Sequence, residues 1–578
     1  MPKHPLTAVG RRAFLQGAGL LGAGAASSLL PAALPAKAAP EERKGGSGPK
    51  LTASDADTVV EIASGRIRGF KRRGIYTFRG IPYGDSTSGE NRFMAPKPAK
   101  PWAGIRDTLQ FGRACIQPGS DSAHFDYDGG NLATSDAEGF LVHRGEGTLV
   151  PGEDCLRLNI WTPAVRDHSK RPVMVFMHGG GYEGGFDNDL ASYNGENLSR
   201  NDVVVVTHNH RLNVFGYLNL AEIGGPRFAE SASVGLLDLV AVLTWVRDNI
   251  AQFGGDPGNV TIFGQSGGGG KVVALMAIPR AKGLFHRAAV QSGPFLKAQT
   301  REYSGQIATE VLQQLGVSKA SVDQLQHVPV DRLVGAATEA IRKLTPPRPI
   351  FRRPFGTTGW GPTVDGTVLP HDPFDPGAPH ESEQVPLLTG TVFHEITNAL
   401  NHPIGNGMTE TELSRSITEA FGASGAAIIA AYRYEYPRAT PFGIYGAIAA
   451  EPFRRCAFEQ ARRKAALNAA PSYVYIYSWR TPVLDDRPGT FHASDISFVF
   501  DNAERCDHYS AMRPEAFILA KRVSGAWVHF ARSGNPNHPG LPHWPAYVPG
   551  DGATMVFNDH CAIRSNPEQE GLRLIAAA

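Results

Sequence analysis

Residues 259–270 read Asn-Val-Thr-Ile-Phe-Gly-Gln-Ser-Gly-Gly-Gly-Gly, a β-branched and aromatic run that breaks into a serine set among glycines. The run Val260 to Phe263 predicts a strand, and the G-x-S-x-G sequence around Ser266 predicts a sharp strand-to-helix turn. Glycine is needed on both sides because neighbouring Cβ atoms would collide at such a corner. The turn lifts the Ser266 Oγ clear of the sheet. It also places the Gly267 amide at a helix N-terminus, where donors face a developing oxyanion. The chemistry this serves is nucleophilic attack by a serine on a carbonyl carbon. With 65 glycines in the chain, a short match of this kind also arises by chance, so it needs a partner. A competing phosphate-loop reading of the glycines before Lys271 fails twice: the required first glycine falls on Gln265, and the required Ser or Thr after the lysine is Val272.

The partner is a second glycine turn. A strongly apolar strand, Val173 to Met177, runs into His178-Gly179-Gly180-Gly181, and successive glycines after a strand let the backbone aim its amides at one point. Further apolar strands are expected at Val203 to Thr207, Val385 to Leu388 and Tyr473 to Tyr477. Continuous apolar runs of this kind are buried on both faces, as in a sheet covered by helices. Residues 235–246 predict the crossover helix of a βαβ unit. Short β-like runs at Val59-Val60, Ile67, Tyr76 to Phe78 and Ile81 predict an antiparallel start to the sheet. Residues 301–345 and 409–465 carry helical patterns and are expected to form a lid or wall.

Composition bounds the partners. Charge is nearly balanced at +2 and 42% of residues are hydrophobic, which suits a large core, and no basic stretch carries interleaved aromatics, so nucleic-acid binding has no support. Residues 1–38 are expected to be an export signal of the twin-arginine type: Arg11-Arg12-Ala13-Phe14-Leu15 precede a Gly/Ala/Leu segment and Ala36-Lys37-Ala38 offers a small-x-small cleavage site. Pro31, Pro35 and modest hydrophobicity argue against a stable membrane span. The expected organisation is a signal at 1–38, a linker at 39–57 and one catalytic domain at 58–578, periplasmic or secreted. Of the five cysteines, Cys115 and Cys155 bracket a polar surface loop and are expected to pair, while Cys456, Cys506 and Cys561 have no assigned partner. No cysteine–histidine cluster has zinc spacing, and neither a metal nor an organic cofactor is expected. His208 and His210 alternate along a strand, and two ligands without a third read as packed or exposed side chains. The group His371, Asp372, Asp375 and His380 reads as a solvated loop.

Resemblance adds the remaining members of the site. The chain resembles the type-B carboxylesterase family, which includes the cholinesterases, over nearly all of the sequence after the signal. The motifs are Phe78-Arg79-Gly80-Ile81-Pro82-Tyr83, Glu153 to Asn159, His178 to Gly181, Phe253 to Thr261 running into the turn at Ser266, and Phe530 to Pro536. The family implies an α/β-hydrolase fold: a large, mostly parallel central sheet with helices on both faces and a helical lid or wall. Chain order in that fold puts the acid before the base, which leaves seven histidines after Glu395: His402, His492, His508, His529, His538, His543 and His560. The resemblance selects among them. Gly390 to Glu395 matches the segment carrying the acid and Gly489 to Ile496 the segment carrying the base, implying a triad of Ser266, Glu395 and His492. It implies Gly180, Gly181 and Gly267 as oxyanion donors and Cys115–Cys155 as the family's first disulfide.

Three positions depart from the family pattern. Gln265 stands where the family usually has Glu, Gly267 where it has Ala, and His210 where Tyr is more usual. Gln265 removes a buried negative charge next to the serine, so cationic substrates are expected to gain little and neutral acyl or aryl esters of small to medium size are the expected substrates. Two other readings keep the same residues: hydrolysis of carbamates, amides or other xenobiotic acyl compounds, and a non-catalytic binding protein of the same fold. Phe491, Tyr182 and Phe186 adjoin the motifs and are expected to line the pocket or the core.

Overall fold

The computed structural model of the chain describes residues 51–118, 140–141, 149–345, 351, 358–400, 402 and 404–578. The expected signal, most of the linker and most of the loop between Cys115 and Cys155 lie outside the described residues. The strands are β1 (Leu51–Thr52), β2 (Val59–Ile62), β3 (Gly65–Arg68), β4 (Phe70–Arg72), β5 (Ile75–Pro82), β6 (Ile105–Asp107), β7 (Arg157–Thr162), β8 (Arg171–Met177), β9 (Val204–His208), β10 (Gly255–Gln265), β11 (Arg287–Gln291), β12 (Leu387–Val392), β13 (Ser472–Tyr477), β14 (Ala553–Phe557) and β15 (Ala562–Ser565). Among the described residues twelve of them form one sheet in the order β1-β4-β5-β7-β9-β8-β10-β11-β12-β13-β14-β15, and β2-β3-β6 form a small second sheet. The block from β9 through β14 is parallel throughout. Antiparallel strands finish both edges. The segment expected as linker contributes β1, which pairs with β4 at the sheet edge.

Parallel strands need crossovers long enough to return to the same end, and the helices that provide them cover the faces. The central strands are therefore buried on both sides: every residue of β9 and β12 is buried, and six of the seven in β8. Side-chain alternation splits the core in two. Val173, Val175, Val260 and Ile262 pack on one face, and Met174, Phe176 and Phe263 on the other. The predicted crossover helix spans Val234–Asn249, between β9 and β10, and passes β8, which lies between those strands. The stretch Pro226–Phe253 is long and apolar enough to cross a membrane by composition, but it is mostly buried as this core helix. The two helical regions form as expected, with helices at Arg301–Leu315 and Val330–Leu344, and at Glu410–Phe421, Gly425–Glu435, Pro441–Ala449 and Glu451–Ala466.

One buried ion pair ties the crossover helix to the end of β9. Arg211 Nε and Nη2 donate to Asp238 at 2.8 and 2.6 Å, both side chains are fully enclosed, and Arg211 Nη1 reaches the Met94 carbonyl at 2.7 Å. Removing one partner strands the other charge in the core. Asp238→Ala is expected to lower folding stability by about 3–5 kcal/mol, read as a lower urea midpoint.

Candidate active site

The parallel block brings its functional residues to one edge, because each follows the carboxyl end of a strand. His178–Gly181 follow β8, Ser266 follows β10, Glu395 lies three residues beyond β12, and His492 sits in the loop after β13. Ser266 adopts φ 55° and ψ −125°, the left-handed region that a non-glycine residue enters at a cost of order 1–3 kcal/mol. It is partly exposed while Gly264, Gln265 and the whole following helix, Gly267–Met276, are buried. The corner is braced by Ser266 N donating to Gln291 O at 2.8 Å and by Gly270 N donating to Ser266 O at 3.0 Å.

The glycines around the corner are there because backbone from elsewhere occupies the space of their side chains. A Cβ on Gly267 would lie 2.0 Å from Gly181 O, one on Gly268 1.9 Å from Met177 O, and one on Gly264 2.5 Å from the Gly268 carbonyl carbon. The loop after β8 thus packs directly on the first turn of the helix after Ser266. Gly180 and Gly181 take φ 86° and 64°, and a Cβ on Gly179 would lie 3.6 Å from the Ser266 Cβ. Gly180, Gly181 and Gly267 are brought together beside the serine.

The residues expected as acid and base meet in the core. His492 Nδ1 lies 2.5 Å from Glu395 Oε2, with His492 5% exposed and Glu395 fully buried. The second Glu395 oxygen accepts from Val392 N at 3.0 Å, and His492 N donates to Glu395 O at 2.9 Å, so backbone and side chain lock the two segments together. With its Nδ1 proton directed at Glu395, His492 presents Nε2 as an acceptor, and the Gln265 amide donates to it at 3.2 Å. The imidazole therefore faces the residue immediately before Ser266.

Several supporting residues were not found in the sequence. Arg454, fully buried, donates to the Val392 and Phe393 carbonyls at 3.2 and 2.8 Å and pairs with buried Glu568. It holds the stretch that carries Glu395. Asp495, three residues beyond His492, accepts from Gln291 Nε2 and Tyr475 OH, each at 3.0 Å, and burial pushes its carboxyl up to about 6. Arg454 and Glu568 are 114 residues apart and share no local pattern, whereas Asp495 falls inside the segment that names His492. Phe453 places its ring 5.7 Å from that of His492, so the Glu451–Ala466 helix forms a wall of the site.

The remaining expectations divide. The bond expected between Cys115 and Cys155 is not formed: both are free, buried thiols in contact, and the Cys155 thiol is pushed well up by its hydrogen bond to Cys115 and by burial. Cys456, Cys506 and Cys561 are also free. His208 and His210 are packed side chains, buried beside His178 with ring centroids 5.4 and 4.7 Å apart along the series, and no metal-holding group of three occurs among the described residues. Of the group read as a solvated loop, Asp375 is ion-paired to Lys297 and Arg463. Phe491 packs edge-on to Tyr509, Tyr182 edge-on to Tyr217, and all three aromatic candidates including Phe186 are buried.

The chain matches the Carboxylesterase family over residues 56–575. It is 31% identical over 517 residues to a para-nitrobenzyl esterase of Bacillus subtilis (strain 168), covering 89% of this chain and 97% of that one. Among solved structures, an esterase from Clostridium hathewayi that can hydrolyse aliphatic aromatic polyesters superimposes with a TM-score of 0.76 at 33% identity, over 91% of this chain and all of that one. A Geobacillus stearothermophilus carboxylesterase gives 0.71 at 32% identity, over 89% and 99%. A strand-to-helix serine at the carboxyl edge of a mostly parallel sheet, with this breadth of similarity, places the chain in the carboxylesterase family: it is a serine hydrolase of carboxylic esters with the α/β-hydrolase fold.

Proposed function

We propose that Ser266 is the nucleophile, His492 the base and Glu395 the acid that orients it, and that the enzyme acts on neutral acyl or aryl esters of small to medium size. The observation that carries this reading is the 2.5 Å contact between His492 Nδ1 and buried Glu395, which fixes the tautomer and turns Nε2 toward the serine corner. His492 takes the Ser266 proton as Oγ attacks the ester carbonyl, and Glu395 stabilises the imidazolium that forms. The amides of Gly180, Gly181 and Gly267 hold the tetrahedral oxyanion; losing one such donor costs about 2.7–4 kcal/mol of barrier. The alcohol leaves with the proton from His492, and water then cleaves the acyl-enzyme by the same steps.

Gln265 shapes both the resting state and the substrate class. Its amide occupies the His492 Nε2 lone pair, which accepts one proton at a time, so the amide yields when Ser266 engages the base. Being neutral, it offers a cationic substrate no attraction. We further propose that residues 1–38 direct export and that oxidation then joins Cys115 to Cys155, whose sulfurs already meet.

Three measurements test these readings. Ser266→Ala is expected to abolish turnover of p-nitrophenyl acetate, butyrate and octanoate, with the parent favouring the shorter two; equal turnover in the mutant removes Ser266 from the chemistry. Gln265→Glu puts a carboxylate on His492 Nε2 and favours the imidazolium, so the acid limb of kcat/KM is expected to move up by about one pH unit, about 1.4 kcal/mol. An unmoved limb separates Gln265 from the base. Intact mass of the exported protein is expected to begin at Ala39, with a Cys115–Cys155 peptide under non-reducing digestion; retention of residues 1–38 contradicts the export reading.

A further inference from the structure

Lys271 lies five residues beyond Ser266 on the helix that begins at the corner, and it is fully buried. Burying an ammonium is costly unless it is hydrogen-bonded, and a cation in the first turns of a helix opposes the helix dipole. No carboxylate forms a salt bridge with it among the described residues. Its Nζ instead donates to two backbone carbonyls, His178 O at 3.2 Å and Gly181 O at 2.9 Å, and lies 5.3 Å from the centre of the Tyr182 ring.

Those two carbonyls bracket the glycine loop, and the two between them are also held. His178 Nδ1 meets Gly179 O at 2.9 Å, and Gly184 N donates to Gly180 O at 3.0 Å. In a trans peptide the N–H points opposite the preceding C=O, so fixing the Gly179 and Gly180 carbonyls fixes the direction of the Gly180 and Gly181 amides. Lys271 pins both ends of that series. The Gly181 carbonyl it draws in is the atom that leaves no room for a side chain at 267, where a Cβ would stand 2.0 Å away. The lysine and Gly267 are thus two parts of one arrangement.

We propose that Lys271 is a positioning residue for the oxyanion hole: its ammonium pins the carbonyls of His178 and Gly181, holding the intervening amides toward the oxyanion formed at Ser266. This rests on the assignment of Ser266 and the glycine amides made above. The groups facing Lys271 are His178 after β8, His208 and His210 at the end of β9, and Tyr182. Burial and the lysine charge push His208 down to about 3 and His178 and His210 well down, so all three stay neutral and Lys271 is the cation of the cluster. Burial pushes Lys271 itself down to about 7. The ammonium is then complete below that pH and lost above it, whereas folding stability takes the opposite course: the unfolded chain binds this proton up to its ordinary value, so stability gains as pH rises from 7.

The test uses the full chain with p-nitrophenyl butyrate and an aryl trifluoromethyl ketone, whose hemiketal with Ser266 carries the oxyanion. Lys271→Met is expected to lower kcat about 10²-fold with KM little changed, and to weaken the ketone in parallel. Lys271→Arg is expected to recover about tenfold of that loss, since it restores a charged donor. The acid limb, which reports the base, stays in place. A folded Lys271→Met enzyme with kcat and ketone affinity near those of the parent overturns the proposal. If Lys271→Met does not fold, Lys271→Gln, a donor without charge, is expected to show the same loss. A folded Lys271→Gln enzyme with kcat and ketone affinity near those of the parent overturns it too. A parent that hydrolyses no ester, or a Ser266→Ala variant that still does, defeats the underlying assignment instead.

Discussion

Backbone packed against backbone, without intervening side chains, is the constraint on which the active site depends. The helix after Ser266 and the loop after β8 approach so closely that Cβ atoms on Gly267 and Gly268 would stand 2.0 and 1.9 Å from carbonyl oxygens of Gly181 and Met177. On the other side of the corner, a Cβ on Gly293 would lie 2.0 Å from Ser266 O. Each contact joins two neighbouring strands of the parallel block, so strand register and corner geometry are one problem. The left-handed Ser266 is sustained because these contacts leave it nowhere else to go.

Glu395 and His492 are held differently. They sit on loops beyond β12 and β13, where glycines pack on side chains as well as backbone, a Cβ on Gly489 standing 2.8 Å from His394 Nδ1, and buried polar groups add the remaining ties. Arg454 grips the Val392 and Phe393 carbonyls from the wall helix and is neutralised by Glu568, while Asp495 ties the His492 loop to Gln291 at the end of β11. Gln291 also accepts, through its backbone carbonyl, the bond that braces Ser266 N. Ser266 and the His492 loop therefore share an anchor. A buried network of this kind stabilises only when its members are partnered, which makes it a device for holding geometry rather than a source of net stability.

What could be read from the sequence follows from how local each signal is. The corner at Ser266, the loop at His178–Gly181 and the strands leading to them are written in consecutive residues, and the structure forms β8, β10 and the crossover helix where the apolar runs indicate. Physical reasoning left seven histidines for the base, and only family resemblance singled out His492. The geometry now gives the reason: His492 N donates to Glu395 O across segments 97 residues apart, a pairing made by the sheet and not by spacing. Arg454 with Glu568 was invisible for the same reason. Lys271 stands in plain view at the end of the glycine run, but nothing local says that its ammonium reaches back to two carbonyls after β8. The Cys115–Cys155 pairing was legible as proximity, and the thiols do meet; their oxidation state is a property of the compartment, which spacing does not encode.

The charges left around the serine also follow from the environment more than from composition. Glu395 is committed to His492, the Asp495 carboxyl is lifted toward neutrality by burial, and three histidines behind the oxyanion loop are held uncharged. Gln265 contributes a dipole where a carboxylate would have contributed a charge, and it contributes it to the imidazole. Neither Glu395, bound to His492, nor Gln265, which is neutral, offers a cation an unpaired charge beside the serine. Lys271, which forms no salt bridge among the described residues, is buried beneath the glycine loop with its protons directed at carbonyls. The field that remains favours a charge that appears only during reaction, the oxyanion, over any charge already present on the substrate, and that is the electrostatic description of an enzyme for neutral esters.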